Sequence, residues 1–180
     1  VLGGSIPKSL PDTVYQEIME RFSGRGLRFA VDAEGMPLKR VLPCRPFLIK
    51  PNRQELAGLF GTSVENAGEA AEYARRLQRE GARNVLVSLG GEGAVLAAEN
   101  EKIYQCPAPA GQVRNSVGAG DSMVAGFLAG YLRTGDYRAA LETGVAAGSA
   151  TAFSDGLAGK EKIRELLQEI RGFGGKEELK

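Results

Sequence analysis

The clearest chemical signal in this sequence is the run Asn115-Ser116-Val117-Gly118-Ala119-Gly120-Asp121-Ser122, which leads into the apolar segment MVAGFLAGYL. The pattern predicts a helix that begins at a glycine-containing turn. The first N–H groups of a helix lack intrahelical partners and lie at the positive end of its dipole, so they can hold the charge of a phosphoryl group in transit. Asp121 beside them could accept a proton from an attacking hydroxyl. The alternative is that the Asp and Ser only cap the helix.

A second candidate site follows the apolar run Phe47-Leu48-Ile49. Asn52 and Glu55 form an N-x-x-E pair one helical turn apart, so that an amide oxygen and a carboxylate share a face and could hold hydrated Mg²⁺. The alternative is a helix N-cap followed by a Glu in the first turn, as in a capping box. Lys50 precedes the pair at a predicted strand end, where it faces either a nucleotide phosphate or solvent.

A third candidate is the glycine-rich loop Ser88-Leu89-Gly90-Gly91-Glu92-Gly93, which follows another predicted strand. Small residues such as Ser88, Gly90 and Gly93 let a backbone approach a nucleotide closely. A glycine-rich hairpin turn explains the same residues, because glycine adopts unusual turn dihedrals at little steric cost.

Composition narrows the chemistry and the partners. The 180 residues contain no histidine, which excludes Ser-His, Cys-His and His-metal mechanisms, and the two cysteines give almost no support for a zinc site. A net charge of +1 argues against nucleic-acid binding. No apolar run is long enough to span a bilayer and the first residues do not resemble a signal peptide, so we expect a cytoplasmic protein without a membrane partner.

Apolar periodicity and turn residues predict an alternation of strands and helices. The predicted helices cover residues 11–22, 52–60, 65–80, 119–132, 137–153 and 160–170, and the predicted strands cover 27–31, 47–49, 85–89, 94–98 and 103–104. Such alternation favours an α/β fold with a mostly parallel sheet and helices on both faces, and ligands collect at the carboxyl ends of its strands. The opening residues VLGGS are typical of the end of a strand, so we expect the chain to be a fragment.

The segment NSVGAGDSMVAGFL resembles the second signature of the PfkB (ribokinase-like) family of sugar kinases. Three further segments, KPNRQE, SLGGEG and GVAAGSAT, resemble family motifs and occur in the family's order. The resemblance covers essentially the whole chain. It implies a three-layer αβα, Rossmann-like (ribokinase-like) fold, with residues 1–180 as a single nucleotide-binding and catalytic domain that lacks an N-terminal sugar-binding and lid half.

The resemblance also implies roles for individual residues. Asp121 would be the general base, and Gly118, Ala119 and Gly120 would form the anion hole. Asn52 and Glu55 would hold Mg²⁺. The residues implied in ATP binding are Lys50, Asn52, Ser88, Gly90, Gly93, Val145, Gly148 and Ser149.

The last three of these residues would form a small-residue surface for the adenine ring, although tight helix packing explains them equally. Relatives hold a monovalent cation near the anion hole, and a K⁺ ion here would lie at comparable positions, namely Asn115, Val117, Thr151 and Ser154.

Within the family, the segments DAEG, PFLIKPN and NSVGAGDSMVAGF resemble 1-phosphofructokinases most closely and tagatose-6-phosphate kinases next. The implied reaction is phosphorylation of fructose 1-phosphate to fructose 1,6-bisphosphate. The resemblance also implies a homodimer. The alternatives are a tagatose-6-phosphate kinase, another PfkB sugar kinase and a non-catalytic nucleotide-binding remnant. A nicotinamide-dependent oxidoreductase is disfavoured, because GGEG does not supply the G-x-G-x-x-G spacing after the first strand.

Overall fold

The computed structural model describes residues 1–173, so residues 174–180 of the predicted domain lie outside the described part. The chain divides into two compact units. The first unit consists of Val1–Val87 and Ala97–Lys102, and the second of Ser88–Leu96 and residues 103–173.

The first unit contains parallel strands that pair in the order in which they occur along the chain. They are β1 (Leu2–Gly3), β2 (Ala30–Asp32), β3 (Leu48–Ile49) and β4 (Asn84–Ser88), the last residue of β4 belonging to the second unit. Val31 lies opposite Ile49 in this register. Both side chains are at most 1% exposed. The predicted parallel pairing of this part of the sheet is confirmed.

The helices of the first unit are α1 (Val14–Arg21), α2 (Gly35–Val41), α3 (Arg53–Phe60) and α4 (Ala67–Arg79). Helix α2 was missed by the periodicity analysis, because Gly35 and Pro37 are typical of a turn. Proline is nevertheless tolerated in the first turn of a helix, where its missing N–H has no intrahelical partner. Leu38 and Val41 then bury one face of α2 completely.

The second unit contains strands β5 (Ala94–Ala97, its last residue in the first unit) and β6 (Ile103–Cys106), followed by helices α5 (Ala119–Thr134), α6 (Tyr137–Ala152) and α7 (Lys160–Phe173). Strands β5 and β6 are hydrogen-bonded neighbours. The short connection between them is compatible only with antiparallel pairing, as predicted. The helices follow in the predicted order, and their observed bounds differ from the predicted ones by a few residues.

Helices α5 and α6 pack unusually closely because glycines face the neighbouring helix. A Cβ atom added at Gly126 would lie 2.6 Å from the carbonyl oxygen of Thr143, and one added at Gly130 would lie 2.9 Å from Cα of Ala140. The backbones can therefore approach only because these side chains are absent. Together with the parallel strands of the first unit, these elements confirm the predicted α/β class.

Candidate functional site

The predicted anion-hole turn forms the N-terminus of α5. Gly118 is the N-cap and has φ +78°, a left-handed conformation that favours glycine. The N–H of Ala119 donates to the carbonyl of Ser116 at 3.2 Å, and the first intrahelical bond joins the N–H of Ser122 to the carbonyl of Gly118 at 2.9 Å. Of the three residues predicted to form the anion hole, Ala119 thus has an acceptor for its N–H. Among the described residues, the N–H groups of Gly118 and Gly120 have none, so these two donors are available to an anion.

Asp121 lies in the first turn of α5 and its side chain is exposed. Its carboxylate forms no hydrogen bond or ion pair within residues 1–173. A first-turn carboxylate normally stabilises a helix through the dipole, yet here it does not cap any N–H of its own helix. The side chain is therefore exposed and has both oxygens available as proton acceptors.

The small-residue surface predicted for adenine takes part in helix packing. Val145 is 1% exposed. A Cβ atom at Gly148 would lie 3.1 Å from the carbonyl oxygen of Ala119 and 3.3 Å from Cβ of Met123. Ser149 is only half-buried. The structure thus shows the packing role of Val145 and Gly148, while contact with adenine stays a prediction.

The loop after β4 is a short 3-10 helix, Gly90–Glu92. Its ends are joined by a hydrogen bond from the N–H of Leu89 to the carbonyl of Gly93 at 2.8 Å. Gly93 has φ +96°, and a Cβ atom there would collide with the carbonyl oxygen of Cys106. Gly90 has nothing within 4 Å of an added Cβ and is exposed. Crowding by the chain's own backbone therefore requires Gly93 to be glycine, whereas Gly90 borders open space.

In the first unit, Asn52 and Glu55 form a complete capping box at the start of α3. The Asn52 side-chain oxygen accepts from the Glu55 N–H, and the Glu55 carboxylate accepts from the Asn52 N–H, both at 2.9 Å. The helix cap, which was the structural alternative to a metal site at these two residues, is thus present. The box uses only one carboxylate oxygen, Oε2, so Oε1 can still meet a water of hydrated Mg²⁺, which retains several waters in protein sites.

A cavity of about 700 Å³ lies beside this capping box. Its lining includes Asn52 and Glu55 together with Glu34 and the turn residues Gly4 and Ser5. No cluster of three or more acidic or cysteine side chains able to hold a metal occurs within residues 1–173. Any divalent ion here would thus depend on one or two carboxylates supplemented by water and ligand oxygens, which is how Mg²⁺ commonly binds.

Lys50 is not at a solvated strand end. Its side chain is 6% exposed, and its Nζ lies 3.2 Å from Oδ1 of Asp32, which is 18% exposed. The two residues directly follow Ile49 of β3 and Val31 of β2, which lie opposite each other. The sequence-based prediction missed Asp32 as the partner of Lys50. The sequence did contain a signal for this pair: Asp32 and Lys50 each directly follow one of two consecutive predicted strands. Parallel neighbouring strands end side by side, so their opposite charges could be expected to meet.

At three of the four positions predicted for K⁺, a side-chain oxygen already forms hydrogen bonds, and the fourth, Val117, takes part through its N–H. The side-chain oxygen of Asn115 accepts from the N–H of Val117 at 3.0 Å. The Thr151 hydroxyl is buried and donates to a neighbouring hydroxyl at 2.9 Å. The Ser154 hydroxyl donates to a carbonyl at 2.8 Å and accepts from the ammonium of Lys162 at 3.3 Å.

Neither cysteine has the environment of a nucleophile. Burial, assisted by the nearby charge of Glu142 and opposed by Arg138, raises the pKa of the Cys106 thiol to about 12. Burial and the charge of Glu20 also raise the pKa of Cys44. Both thiols are free, and both are held in the protonated form, which is the unreactive one.

A match to a known protein family covers all of the candidate site residues described above. The family model described as pfkB family carbohydrate kinase matches residues 1–163. The chain belongs to the pfkB family of carbohydrate kinases. The predicted family is therefore confirmed, and so is its ribokinase-like α/β fold.

Relatives within the pfkB family include two kinases of phosphorylated sugars. The chain is 44% identical over 171 residues to a 1-phosphofructokinase of Bacillus subtilis (strain 168), covering 95% of this chain and 56% of that protein. It is 35% identical to a D-tagatose-1-phosphate kinase of Klebsiella oxytoca, covering 94% of this chain and 56% of that protein. The chain thus spans about half the length of the relatives it matches.

Among solved structures, phosphofructokinase-2 from Escherichia coli in complex with potassium matches with a TM-score of 0.86 and 27% identity. The match covers 94% of this chain and 56% of that one. Within residues 1–173, no helix combines the length and apolar character needed to cross a membrane.

Proposed function

We propose that the protein containing this chain transfers the γ-phosphoryl group of ATP to the 6-hydroxyl of fructose 1-phosphate, giving ADP and fructose 1,6-bisphosphate. The observation that carries the proposal is the pairing of an exposed, unpartnered Asp121 carboxylate with available N–H groups at Gly118 and Gly120. The similarity to the 1-phosphofructokinase of Bacillus subtilis supports the choice of acceptor.

The chemistry follows from these groups. Asp121 takes the proton of the attacking 6-hydroxyl, while the N–H groups and the dipole of α5 hold the charge on the transferring phosphoryl group. ATP supplies that phosphoryl group, and Mg²⁺ neutralises its phosphate charge. Asn52 and Glu55 are the residues that would hold hydrated Mg²⁺. The residues proposed to contact the nucleotide are Lys50, Asn52, Ser88, Gly90, Gly93, Val145, Gly148 and Ser149.

A tagatose phosphate is the second candidate acceptor. The sequence comparison within the family predicted tagatose 6-phosphate as the alternative, and the similarity to the Klebsiella oxytoca enzyme favours D-tagatose 1-phosphate instead. Both tagatose 1-phosphate and fructose 1-phosphate present a free 6-hydroxyl to the same base. We also propose a cytoplasmic location and a homodimer, without nucleic-acid or membrane partners.

The test is release of ADP from MgATP with fructose 1-phosphate, tagatose 1-phosphate, tagatose 6-phosphate or no sugar. The assay uses the chain as printed and, in parallel, the encoded protein from its own initiator methionine. We expect the fastest release with fructose 1-phosphate. Preference for either tagatose phosphate would replace the acceptor, and binding of ATP without sugar-dependent release would favour the non-catalytic alternative.

Replacement of the base tests the mechanism. Asp121→Asn should lower kcat by about 10²–10⁴-fold, as loss of a general base does, with nearly unchanged affinity for ATP. Asp136→Asn is the matched control, because Asp136 caps α6 by accepting from Ala139 at 2.7 Å, and Asn caps a helix about as well as Asp. Turnover by the Asp121 variant at the level of the control would remove Asp121 as the base.

A further inference from the structure

The ammonium group of Lys162 caps the end of a helix to which it does not belong. Its Nζ donates to the carbonyl of Phe153 at 2.6 Å and to the hydroxyl of Ser154 at 3.3 Å. Phe153 is the C-cap of α6. The last carbonyls of a helix lack intrahelical partners and carry the negative end of its dipole, so a cation is stabilising there.

The same helix end fastens the segment that leads into the anion hole. The carbonyl of Ala152 accepts from the N–H of Arg114 at 2.8 Å and from that of Asn115 at 3.2 Å. The Asn115 side chain then donates to the carbonyl of Asp155 at 3.2 Å and accepts from the N–H of Val117, the residue before Gly118. A continuous chain of hydrogen bonds therefore runs from the end of α6 to the turn that carries the available N–H donors.

The residues present do not fit a bound K⁺ at this place. An ion at the Ser154 hydroxyl would have a positively charged ammonium within a few ångströms, and like charges at such a distance repel strongly in a partly buried site. The Lys162 ammonium already contacts two of the oxygen atoms available there, the Phe153 carbonyl and the Ser154 hydroxyl. The ammonium group is also close to K⁺ in size and in charge.

We propose that Lys162 replaces a monovalent cation in this protein: its ammonium holds the turn after α6 and thereby positions the anion-hole loop, so that phosphoryl transfer does not depend on K⁺. Lys162 is a positioning residue, since it acts through Phe153 and Ser154 rather than on the substrate. The inference rests on the proposed function only through the role of the anion-hole loop.

The experiment removes the positive charge of Lys162 and tests whether an added monovalent cation restores stability and activity. Lys162→Met, Lys162→Arg and the control Lys160→Met are compared with the parent in KCl, NH₄Cl and choline chloride at equal ionic strength. Lys160 begins the same helix and is exposed. Two quantities are measured: the midpoint of thermal unfolding, followed by circular dichroism, and kcat with MgATP and fructose 1-phosphate.

We expect the parent and the Lys160 variant to behave identically in all three salts. Lys162→Met should lose about 100-fold in kcat, the size typical of a small misplacement of catalytic groups, and should regain part of it in KCl or NH₄Cl but not in choline chloride. Its unfolding midpoint should fall by roughly 3–6 °C in choline chloride and recover in KCl. Lys162→Arg should retain most of the activity.

Three results would overturn the proposal. A parent protein that is active only in KCl would show that K⁺ binds despite Lys162. A Lys162→Met variant as active as the parent would show that the ammonium does not position the loop. A loss in that variant that no cation restores, in activity or in unfolding midpoint, would leave Lys162 an ordinary helix contact. The unfolding arm needs no turnover, so absence of kinase activity in the parent would count against the proposed function and not against this inference.

Discussion

The buried ion pair between Lys50 and Asp32 allows a prediction whose size follows from the burial of its partners. The side chains are 6% and 18% exposed, and Nζ lies 3.2 Å from Oδ1. Removing one partner of a buried pair leaves an uncompensated charge and costs about 3–5 kcal/mol. Asp32→Asn leaves the ammonium of Lys50, the more deeply buried partner, without its compensating charge. Asp32 keeps some contact with solvent. We therefore expect the free energy of unfolding to fall by about 3 kcal/mol, the lower end of this range.

An exposed pair in the same unit provides the matched control. Arg40 and Asp12 lie 3.1 Å apart with side chains 38% and 50% exposed. Such pairs contribute about 0–1 kcal/mol, because solvent screens the attraction and both side chains lose freedom. Asp12→Asn makes the same chemical change and should therefore be nearly neutral.

Urea unfolding followed by circular dichroism measures both variants. With a denaturant slope of about 2 kcal/mol per molar, Asp32→Asn should lower the midpoint by about 1.5 M and Asp12→Asn by less than about 0.5 M. Equal shifts would refute the reasoning. A double variant, Lys50→Met with Asp32→Leu, should recover most of the stability, because well-packed apolar residues replace buried ion pairs at little cost. If it stays as unstable as Asp32→Asn, the loss comes from packing and not from charge.

Three further predictions concern packing, the capping box and a buried thiol. Gly126→Ala should lose about 1–3 kcal/mol of unfolding free energy in the same urea assay, because its Cβ would lie 2.6 Å from the Thr143 carbonyl oxygen. Gly58→Ala, an exposed helical position with nothing within 4 Å, should gain about 0.5–1 kcal/mol, and equal effects would contradict the close helix packing. Glu55→Ala should cost about 1 kcal/mol through loss of the capping box and should raise the Mg²⁺ concentration needed for half-maximal turnover; unchanged Mg²⁺ dependence would count against its metal role. Because the folded pKa of Cys106 is raised to about 12, its contribution to stability is complete below the unfolded pKa of about 8.5 and is lost as pH rises toward the folded value. Cys106→Ala should flatten this alkaline fall in stability, and a parent and variant with parallel pH profiles would disprove it.

The elements could be predicted because their signals are local. The start of α5 follows from a glycine that can adopt φ +78°, followed by an apolar run, and the start of α3 from the Asn52 and Glu55 capping box. In both cases the interacting atoms lie within one helical turn of the same segment. Helix α2 was missed for the same reason, since Gly35 and Pro37 give a local turn signal that burial of its apolar face overrides.

The sequence by itself determined the α/β class, the order of strands and helices except for α2, the family motifs, and the absence of histidine chemistry. Only the tertiary structure decided that Lys50 is paired with Asp32 and that Lys162 reaches the end of α6. The physical reason is the range of the interactions. Capping and periodicity act over three or four residues, whereas the Asn115 side chain bonds a carbonyl 40 residues further along the chain, and such a partner exists only once the chain has folded.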